Sequence, residues 1–293
     1  MKKIILAGGT GFIGTYFEQR FRELGYQVLI ISRQENHISW DDKEGIINAL
    51  EGADLIVNLA GKSINCRYND KNKQEIIHSR IATTKKLREC MLACNHPPNV
   101  WMNSSTVTIY RDAEDRPMTE ADGEIGTGFS VDVASKWEEE FLKFDLPNTR
   151  QIALRIAIVL GKDGGAFTPY RNLVKFGLGG KQGNGKQKIS WIHIEDLFRI
   201  VLFLLDRKDL KGVFICSSPN PVSNEEFMMS LRKSMGKRLG LPATKWMLEL
   251  GAFLIRTESE LVLKSRWVLP GKLNQAGFEF SYSELESTFQ DII

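Results

Sequence analysis

The sequence predicts a doubly wound α/β protein, a parallel sheet with helices on both faces, followed by a smaller C-terminal α+β lobe. Three observations carry this. Compact apolar runs alternate with helical patterns through the first half of the chain, and strand–helix alternation gives a parallel sheet covered on both sides. The runs are apolar at successive positions, as strands buried on both faces are. After Gly161 the alternation breaks into a glycine-rich stretch, then helices and loops.

In order, KIILA is the first buried-type strand. FIGTYFEQRFREL follows with apolar residues at helical spacing, and Gly25 ends it. QVLIIS is a second strand and ADLIVNLAG a third. A long helix covers much of 70–94 and ends before Pro97 and Pro98. VWMNSST is a fourth strand, 131–144 a helix, and RQIALRIAIVLG a fifth strand. Glycines then crowd the stretch from Gly164 to Gly185. IEDLFRIVLFLLDR is a helix, GVFICSS returns a further strand, and from about 218 the pattern is short helices and loops. The expected organisation is a nucleotide-type domain over 1–217, with a glycine-rich pocket loop at about 161–187, and a substrate lobe over 218–293.

The chain has 293 residues, 42% hydrophobic and 26% charged, ample material for a core. A net charge of +3 is too small to point to nucleic acid or a membrane surface, so the expected partner is a small-molecule substrate. No apolar stretch approaches a membrane span. The apolar run in MKKIILAGGTGFIG is too short for a signal-peptide core. Cys66, Cys90, Cys94 and Cys216 form no C-x-x-C pair and suit packing in a reducing, cytoplasmic setting. No metal is expected: Cys90 and Cys94 near His96 read as packing, and His193, Glu195 and Asp196 as helix capping and hydrogen bonding.

GGTGFIG places Gly8, Gly11 and Gly14, with Thr10, Phe12 and Ile13 between them, at the junction of the first strand and first helix. Such a turn bends sharply and brings backbone close to a pyrophosphate, so glycine stands where a Cβ would clash. The helix N-terminus then offers free N–H groups and partial positive charge to an anion. At the end of the second strand, where an NAD site places a carboxylate for the ribose, this chain has Ser32 and Arg33. A guanidinium suits a 2′-phosphate, so the expected cofactor is NADP(H).

GKQGNGKQ (180–187) nearly fits the P-loop pattern, but Gln187 lacks a hydroxyl for Mg²⁺ and KISWIHI after it reads as extended chain rather than helix. Its glycines are expected to shape a loop over the pocket. SWIHIED places Trp191 and His193 on one face of a strand and opens a helix with Glu195 and Asp196 in its first turn.

Together GGTGFIG (8–14), NLAG (58–61), NSSTVTIY (103–110), SK (135–136) and LRIAIVLG (154–161) resemble the extended, epimerase type of short-chain dehydrogenase/reductase. NLAGKSI, KQEIIHSRIATTKKL (73–87), GLGGKQGNGKQKISWIHIEDL (177–197) and RWVLPGKLNQAGFEFSYSELE (266–286) resemble more narrowly an epimerase-family branch with a small C-terminal domain of unknown function. The resemblance spans nearly the whole chain. It implies a Rossmann-like domain, bound NADP(H) and a substrate pocket against the C-terminal lobe. It implies cofactor contacts at Leu59, Ala60, Gly61, Ser79, Arg80 and Ser104 as well, and a substrate pocket near Tyr110, Gly180, Trp191 and His193. The family's catalytic Ser/Thr falls on Thr106, with Ser105 beside it, and its lysine on Lys136. Its tyrosine falls on Asp132 and is absent.

Hydride transfer to a carbonyl needs a proton supplied at the same time. Tyrosine serves when a nearby ammonium favours its anion; a carboxylate beside the same ammonium stays ionised. Asp132 is therefore expected to pair with Lys136 as an i,i+4 helix pair, with Lys136 holding the nicotinamide ribose. Tyr110, Tyr68 and His193 are the other groups with suitable chemistry. The expected function is an NADP(H)-dependent oxidoreductase or epimerase on a small polar carbonyl, alcohol or nucleotide-sugar substrate. The alternative is a non-catalytic NADP(H)-binding sensor or partner-binding protein.

Overall fold

Parallel strands build the central sheet of the computed structural model, which describes residues 2–162, 164–165, 167–243 and 264–293. Parts of the expected glycine loop (163 and 166) and of the C-terminal lobe (244–263) lie outside the described residues. The chain runs through β1 (Lys3–Ala7), α1 (Phe12–Glu23), β2 (Gln27–Ser32), β3 (Ile38–Ser39), α2 (Lys43–Leu50), β4 (Leu55–Asn58) and α3 (Asp70–Leu92). It continues through β5 (Val100–Thr106), α4 (Phe129–Leu142), β6 (Arg150–Ile156), β7 (Ile158–Leu160), α5 (Phe167–Lys175), β8 (Lys188–Ile189), β9 (Trp191–His193) and α6 (Ile194–Asp206). Then come β10 (Gly212–Cys216), β11 (Val222–Ser223), α7 (Asn224–Ser234), α8 (Gly271–Gln275) and α9 (Leu285–Ile292). The seven-stranded sheet has the order β10-β6-β5-β4-β1-β2-β3, with every pairing parallel. Strand order reverses between β1 and β4, the switch point outside which α/β sheets bind ligands.

Alternating residues of each strand feed two layers. Ile4 and Leu6 of β1 join Phe17 and Phe21 of α1 and Phe198 and Leu204 of α6. Ile5 and Ala7 join Ile46 and Leu50 of α2, Leu87 and Met91 of α3, and Phe141 of α4. Burying a large apolar side chain of this kind contributes roughly 1.5–3 kcal/mol, so the two layers hold the sheet from both faces. Cys90 packs in the second layer, and burial pushes its thiol and that of Cys94 up, the latter to about 11.

RQIALRIAIVLG is two strands rather than the single one expected. β6 pairs with β5 and β10, but at Ala157 the chain changes partner. Ala157 N–H still donates to Cys216 O at the end of β10; Ile158 N–H donates to Ser190 O, and β7 pairs in parallel with β9 in a separate two-stranded sheet. No glycine or proline marks the break, because it comes from a change of hydrogen-bond partner. β3 at the sheet edge was likewise not expected.

The chain on either side of residue 217 shares one apolar cluster. Phe167 and Tyr170 of α5 and Trp191 of β9 pack with Phe227 and Leu231 of α7 and Phe289 of α9. Asp196, fully buried in the first turn of α6, accepts from the N–H groups of Ser281 (2.9 Å) and Tyr282 (2.8 Å) and pairs with Arg199 (2.7 Å). It clips the segment before α9 onto the sheet-side helix. Asp196→Ala is expected to lower the unfolding free energy by about 3 kcal/mol, the low end for breaking a buried pair because Arg199 keeps partial access to water. Urea denaturation followed by circular dichroism measures it.

Candidate active site

The glycine turn between β1 and α1 forms because two of its glycines have no room for a side chain. Gly8 has φ +76°, and a Cβ there would stand 2.6 Å from Ala60 Cα. One on Gly14 would stand 2.4 Å from Gly9 O, so α1 sits tightly on the turn. Gly11 differs. It caps α1 in an extended conformation, and its added Cβ would meet only Gly8 O, at 4.0 Å. A side chain at Gly11 would enter open space. Gly161, Gly164 and Gly165 crowd the ring of Phe12, where a Cβ on each would come within 2.6–2.8 Å of it. The start of the glycine-rich stretch therefore closes on the same turn.

The turn opens onto a cavity of about 380 Å³ running along the carboxyl ends of β1, β4, β5 and β6. Gly8, Gly11, Phe12, Ile13 and Gly14 line it, with Leu59, Ile64 and Tyr68 after β4 and Arg80 from α3. Ser104, Ser105, Thr106 and Thr108 line it from β5 and its end, Phe129, Ser130, Val133 and Trp137 from α4, and Ile156, Ala157 and Val159 from β6 and β7. Volume and composition suit a small-molecule site.

Buried polar bonds hold these walls in place. Asn58 at the end of β4 donates to Asn103 Oδ1 (2.7 Å) and Thr84 Oγ1 (3.2 Å) and accepts from Ala60 N–H (3.1 Å). Trp137 donates its indole N–H to the same Thr84 hydroxyl at 3.0 Å. Arg155 of β6 meets Glu138 of α4 through two bonds of 2.7 and 2.9 Å, and its third nitrogen donates to the Tyr110 hydroxyl at 2.6 Å. Ser105 also donates to Glu138. Burial opposes the Arg155 charge, but the Glu138 contacts outweigh it and hold the guanidinium above its ordinary range. Burial pushes the Tyr110 phenol up, against the pull of Arg155.

The cavity gathers much of the expected cofactor set: Gly8, Gly11, Phe12, Ile13, Gly14, Leu59, Arg80 and Ser104, together with Ser105 and Thr106. Thr106 Oγ1 bonds Thr108 Oγ1 at 2.9 Å. Thr10, Ala60, Gly61 and Ser79 lie beside the wall without lining it. Ser79 supports it, accepting from Lys62 N–H (2.9 Å) and donating to Ile76 O (3.1 Å). Ser32 is buried at the end of β2 and Arg33 exposed after it, two residues past the Ile31 carbonyl that accepts from Gly8 N–H.

Two expectations on α4 are corrected. Asp132 and Lys136 are both exposed, and no ion pair joins them among the described residues. Lys136 does not line the cavity, because the helix turns Phe129, Ser130, Val133 and Trp137 that way instead. A Tyr-x-x-x-Lys couple facing the cavity needs two inward positions four apart, and those are Phe129 with Val133 and Val133 with Trp137. Neither pair can ionise. The apolar i, i+4 spacing of 129, 133 and 137 was the sequence signal for this face.

Tyr110, Gly180, Trp191 and His193 do not line the cavity. Tyr110 and Trp191 are buried. Gly180 is held against Leu241, donating its N–H to that carbonyl at 3.0 Å. His193 caps α6, its Nδ1 accepting from Glu195 N–H at 3.1 Å, and its Nε2 lies 3.2 Å from Asp291 Oδ2. Burial pushes its pKa down, against the pull of Asp291. Thr108, Phe129, Ser130 and Trp137 are polar or aromatic wall residues beyond the expected set, and Tyr68, named for its chemistry, lines the wall too.

Two wall groups have unmet bonding capacity. Ser104 Oγ is buried with no partner. Arg80 donates Nη1 to the carbonyls of Lys62 and Ile76, both at 3.0 Å, and its guanidinium lies 5.0 Å over the Trp137 ring. No carboxylate pairs with it among the described residues, and burial pushes it down to about 10.

Residues 4–128 match the NAD dependent epimerase/dehydratase family, and residues 243–292 match a domain of unknown function, DUF1731. The epimerase family protein SH2119 of Staphylococcus haemolyticus is 32% identical over 100% of this chain and 99% of its own length. The crystal structure of human epimerase family protein SDR39U1 (isoform2) with NADPH is similar at a TM-score of 0.90 and 30% identity, covering 99% of this chain and 98% of that one. A nucleoside-diphosphate sugar epimerase from Corynebacterium glutamicum is similar at a TM-score of 0.80 and 25% identity, over 99% of this chain and 58% of that one. With matching elements, matching sequence along its whole length and the glycine turn in place, the chain belongs to the NAD-dependent epimerase/dehydratase family, in the branch that carries this C-terminal domain.

Proposed function

We propose that this protein is an NADP(H)-dependent oxidoreductase of the epimerase type, acting on a small polar carbonyl or alcohol compound, nucleotide sugars included. The observation that carries the reading is the cavity, which joins the glycine turn to the carboxyl ends of β4, β5 and β6. Its unpaired Ser104 hydroxyl and the open space before Gly11 fit a dinucleotide. The NADPH in the human relative's structure supports the same cofactor here.

Gly8, Gly11, Phe12, Ile13 and Gly14 would hold the pyrophosphate at the N-terminus of α1, where free N–H groups and the helix dipole meet the anion. Leu59, Ser104 and Arg80 would hold the part of the cofactor along the sheet edge, and Arg33 the 2′-phosphate. NADPH supplies a hydride when bound. The protein's part is to orient, to exclude water with its apolar α4 face, and to offer hydroxyls at Thr106 and Thr108 to a substrate oxygen. That same apolar face favours a second reading, a non-catalytic protein that binds NADP(H) to sense cofactor state or engage a partner.

Fluorescence titration tests cofactor choice. NADPH is expected to bind more tightly than NADH, and Arg33→Ala to remove about tenfold of that preference by deleting a charge-assisted contact. Equal affinities in the unmutated protein would refute the assignment. Gly11→Val is expected to abolish NADPH binding, because its side chain occupies the approach to the turn while its Cβ comes no nearer than 4.0 Å to Gly8 O. Calorimetry beside circular dichroism separates lost binding from lost fold; retained affinity places the cofactor elsewhere.

A further inference from the structure

His193 has no part in the chemistry proposed above, yet it is 2% exposed at the junction of β9 and α6. Its Nδ1 accepts from Glu195 N–H at 3.1 Å, so that nitrogen carries no proton and the ring N–H is on Nε2. Nε2 meets Asp291 Oδ2 of α9 at 3.2 Å, and Tyr282 donates its hydroxyl to the other Asp291 oxygen at 3.1 Å. The Tyr282 ring also stacks on His193, with centroids 3.8 Å apart. The neutral imidazole therefore ties the first turn of α6 to the last helix, by a cap on one side and a hydrogen bond on the other.

An imidazolium does not fit there. It donates at both nitrogens, so a proton on Nδ1 would point at Glu195 N–H and undo the cap. Charged and titratable groups surround the ring from several elements. α6 brings Glu195, Asp196 and Arg199, α1 brings Tyr16 and Arg20, and α9 and the segment before it bring Asp291 and Tyr282; Lys162, beyond β7, is exposed. Glu195 is already held by Arg20 at 3.0 and 3.1 Å and by the Tyr16 hydroxyl. Asp196 is taken by Arg199 and the N–H groups of Ser281 and Tyr282. Asp291 favours the charged ring, but it is 48% exposed, and burial outweighs it.

The same junction bears on the glycine turn. β9 pairs with β7 in a register that sets His193 beside Leu160. A Cβ on the next residue, Gly161, would stand 2.8 Å from the Phe12 ring and 3.0 Å from Ile194. Ile194, which follows His193, thus packs through Gly161 onto Phe12, a wall of the cavity.

We propose that His193, Tyr282 and Asp291 form an acid-released clasp on α9, and that its release loosens the packing under the glycine turn and weakens the hold on the cofactor. The clasp stands apart from the function proposed above; its link to the turn rests on the cofactor reading. The sign follows from the ring. The folded state takes His193 neutral, and burial depresses its pKa, while an unfolded chain gives it the ordinary value. The clasp therefore contributes fully above the ordinary imidazole range and is lost as the pH falls through the depressed value.

The test compares wild type, His193→Asn and Asp291→Asn from about pH 7.5 to about pH 5.5, across the ordinary imidazole value. Asparagine at 193 keeps a cap acceptor that does not titrate. Amide hydrogen exchange, corrected for its intrinsic rate, reads α9 against β5; NMR reads the imidazoles, and fluorescence reads NADPH affinity. In wild type the protection of α9 is expected to fall about fivefold or more towards acid, the low end for a buried hydrogen bond left unmade, while β5 keeps its own. In His193→Asn it is expected to stay level. The imidazole signal that His193→Asn lacks is expected to titrate below the ordinary value, and lower still in Asp291→Asn, where the pull towards the charged form is gone. NADPH affinity is expected to fall about fivefold further in wild type than in His193→Asn, a comparison that cancels titration of the cofactor's own phosphate. Protection lost equally in β5, or equally in His193→Asn, overturns the clasp, as does a His193 signal at or above the ordinary value. Matching affinity changes in the two proteins overturn the link to the turn. A wild type that binds no NADPH overturns that link and the cofactor reading with it. If His193→Asn does not fold, by circular dichroism, Asp291→Asn decides the clasp: its α9 transition moves to lower pH, and an unmoved one overturns the proposal.

Discussion

One buried ion pair sets the rotation of α4, and the character of the cavity follows from it. Arg155 and Glu138 are 12% and 8% exposed and 2.7 Å apart at their nearest atoms. Charges so far from water are tolerated only together, and removing one strands the other. A helix turns about 100° per residue, so aiming Glu138 at β6 fixes where every other side chain of α4 goes. Val131, Ala134 and Phe141 settle against the protein, Trp137 and Val133 reach the cavity, and Asp132, Lys136 and Glu139 go to water. Ser105 and Tyr110 bond into the same pair, so the end of β5 is aligned with α4 by one contact set.

This explains how much the sequence told. The sheet was legible because strands buried on both faces leave unbroken apolar runs, and the turn because Gly8 and Gly14 stand where no side chain fits. The break at Ala157 was not, since a change of hydrogen-bond partner leaves no mark on composition. The site was legible where backbone builds it and obscure where helix rotation does. Lys136 was placed at the site by the family resemblance, but a motif match says nothing about which way this helix turns it. Glu138 and Arg155, charges placed among apolar neighbours on a helix and a strand, held the information about rotation, and it becomes readable only when the two are known to meet.

Electrostatically the cavity is spare. Among the described residues its wall carries one guanidinium, a few hydroxyls and a broad apolar surface. A half-buried cation with no carboxylate among the described residues and a buried hydroxyl with no partner among them both cost free energy in the protein. A ligand that satisfies them recovers that cost, so the affinity for a dinucleotide and the stability of the folded chain are linked through Arg80 and Ser104.

The last helix has a consequence for how the molecule is made. α9 follows in the chain everything it packs against, and Phe289 lies between Phe167 of α5 and Phe227 of α7, with ring centroids 6.0 and 5.4 Å away. Until α9 is made, the faces of Phe167 and Phe227 that meet Phe289 lack that cover, and His193 lacks its Asp291 partner. A nascent chain of this design has all seven strands of its central sheet made while one apolar flank still lacks α9, the kind of surface that invites aggregation or a chaperone. Its passage to the native state therefore waits for α9 to dock rather than for the forming of its first strands.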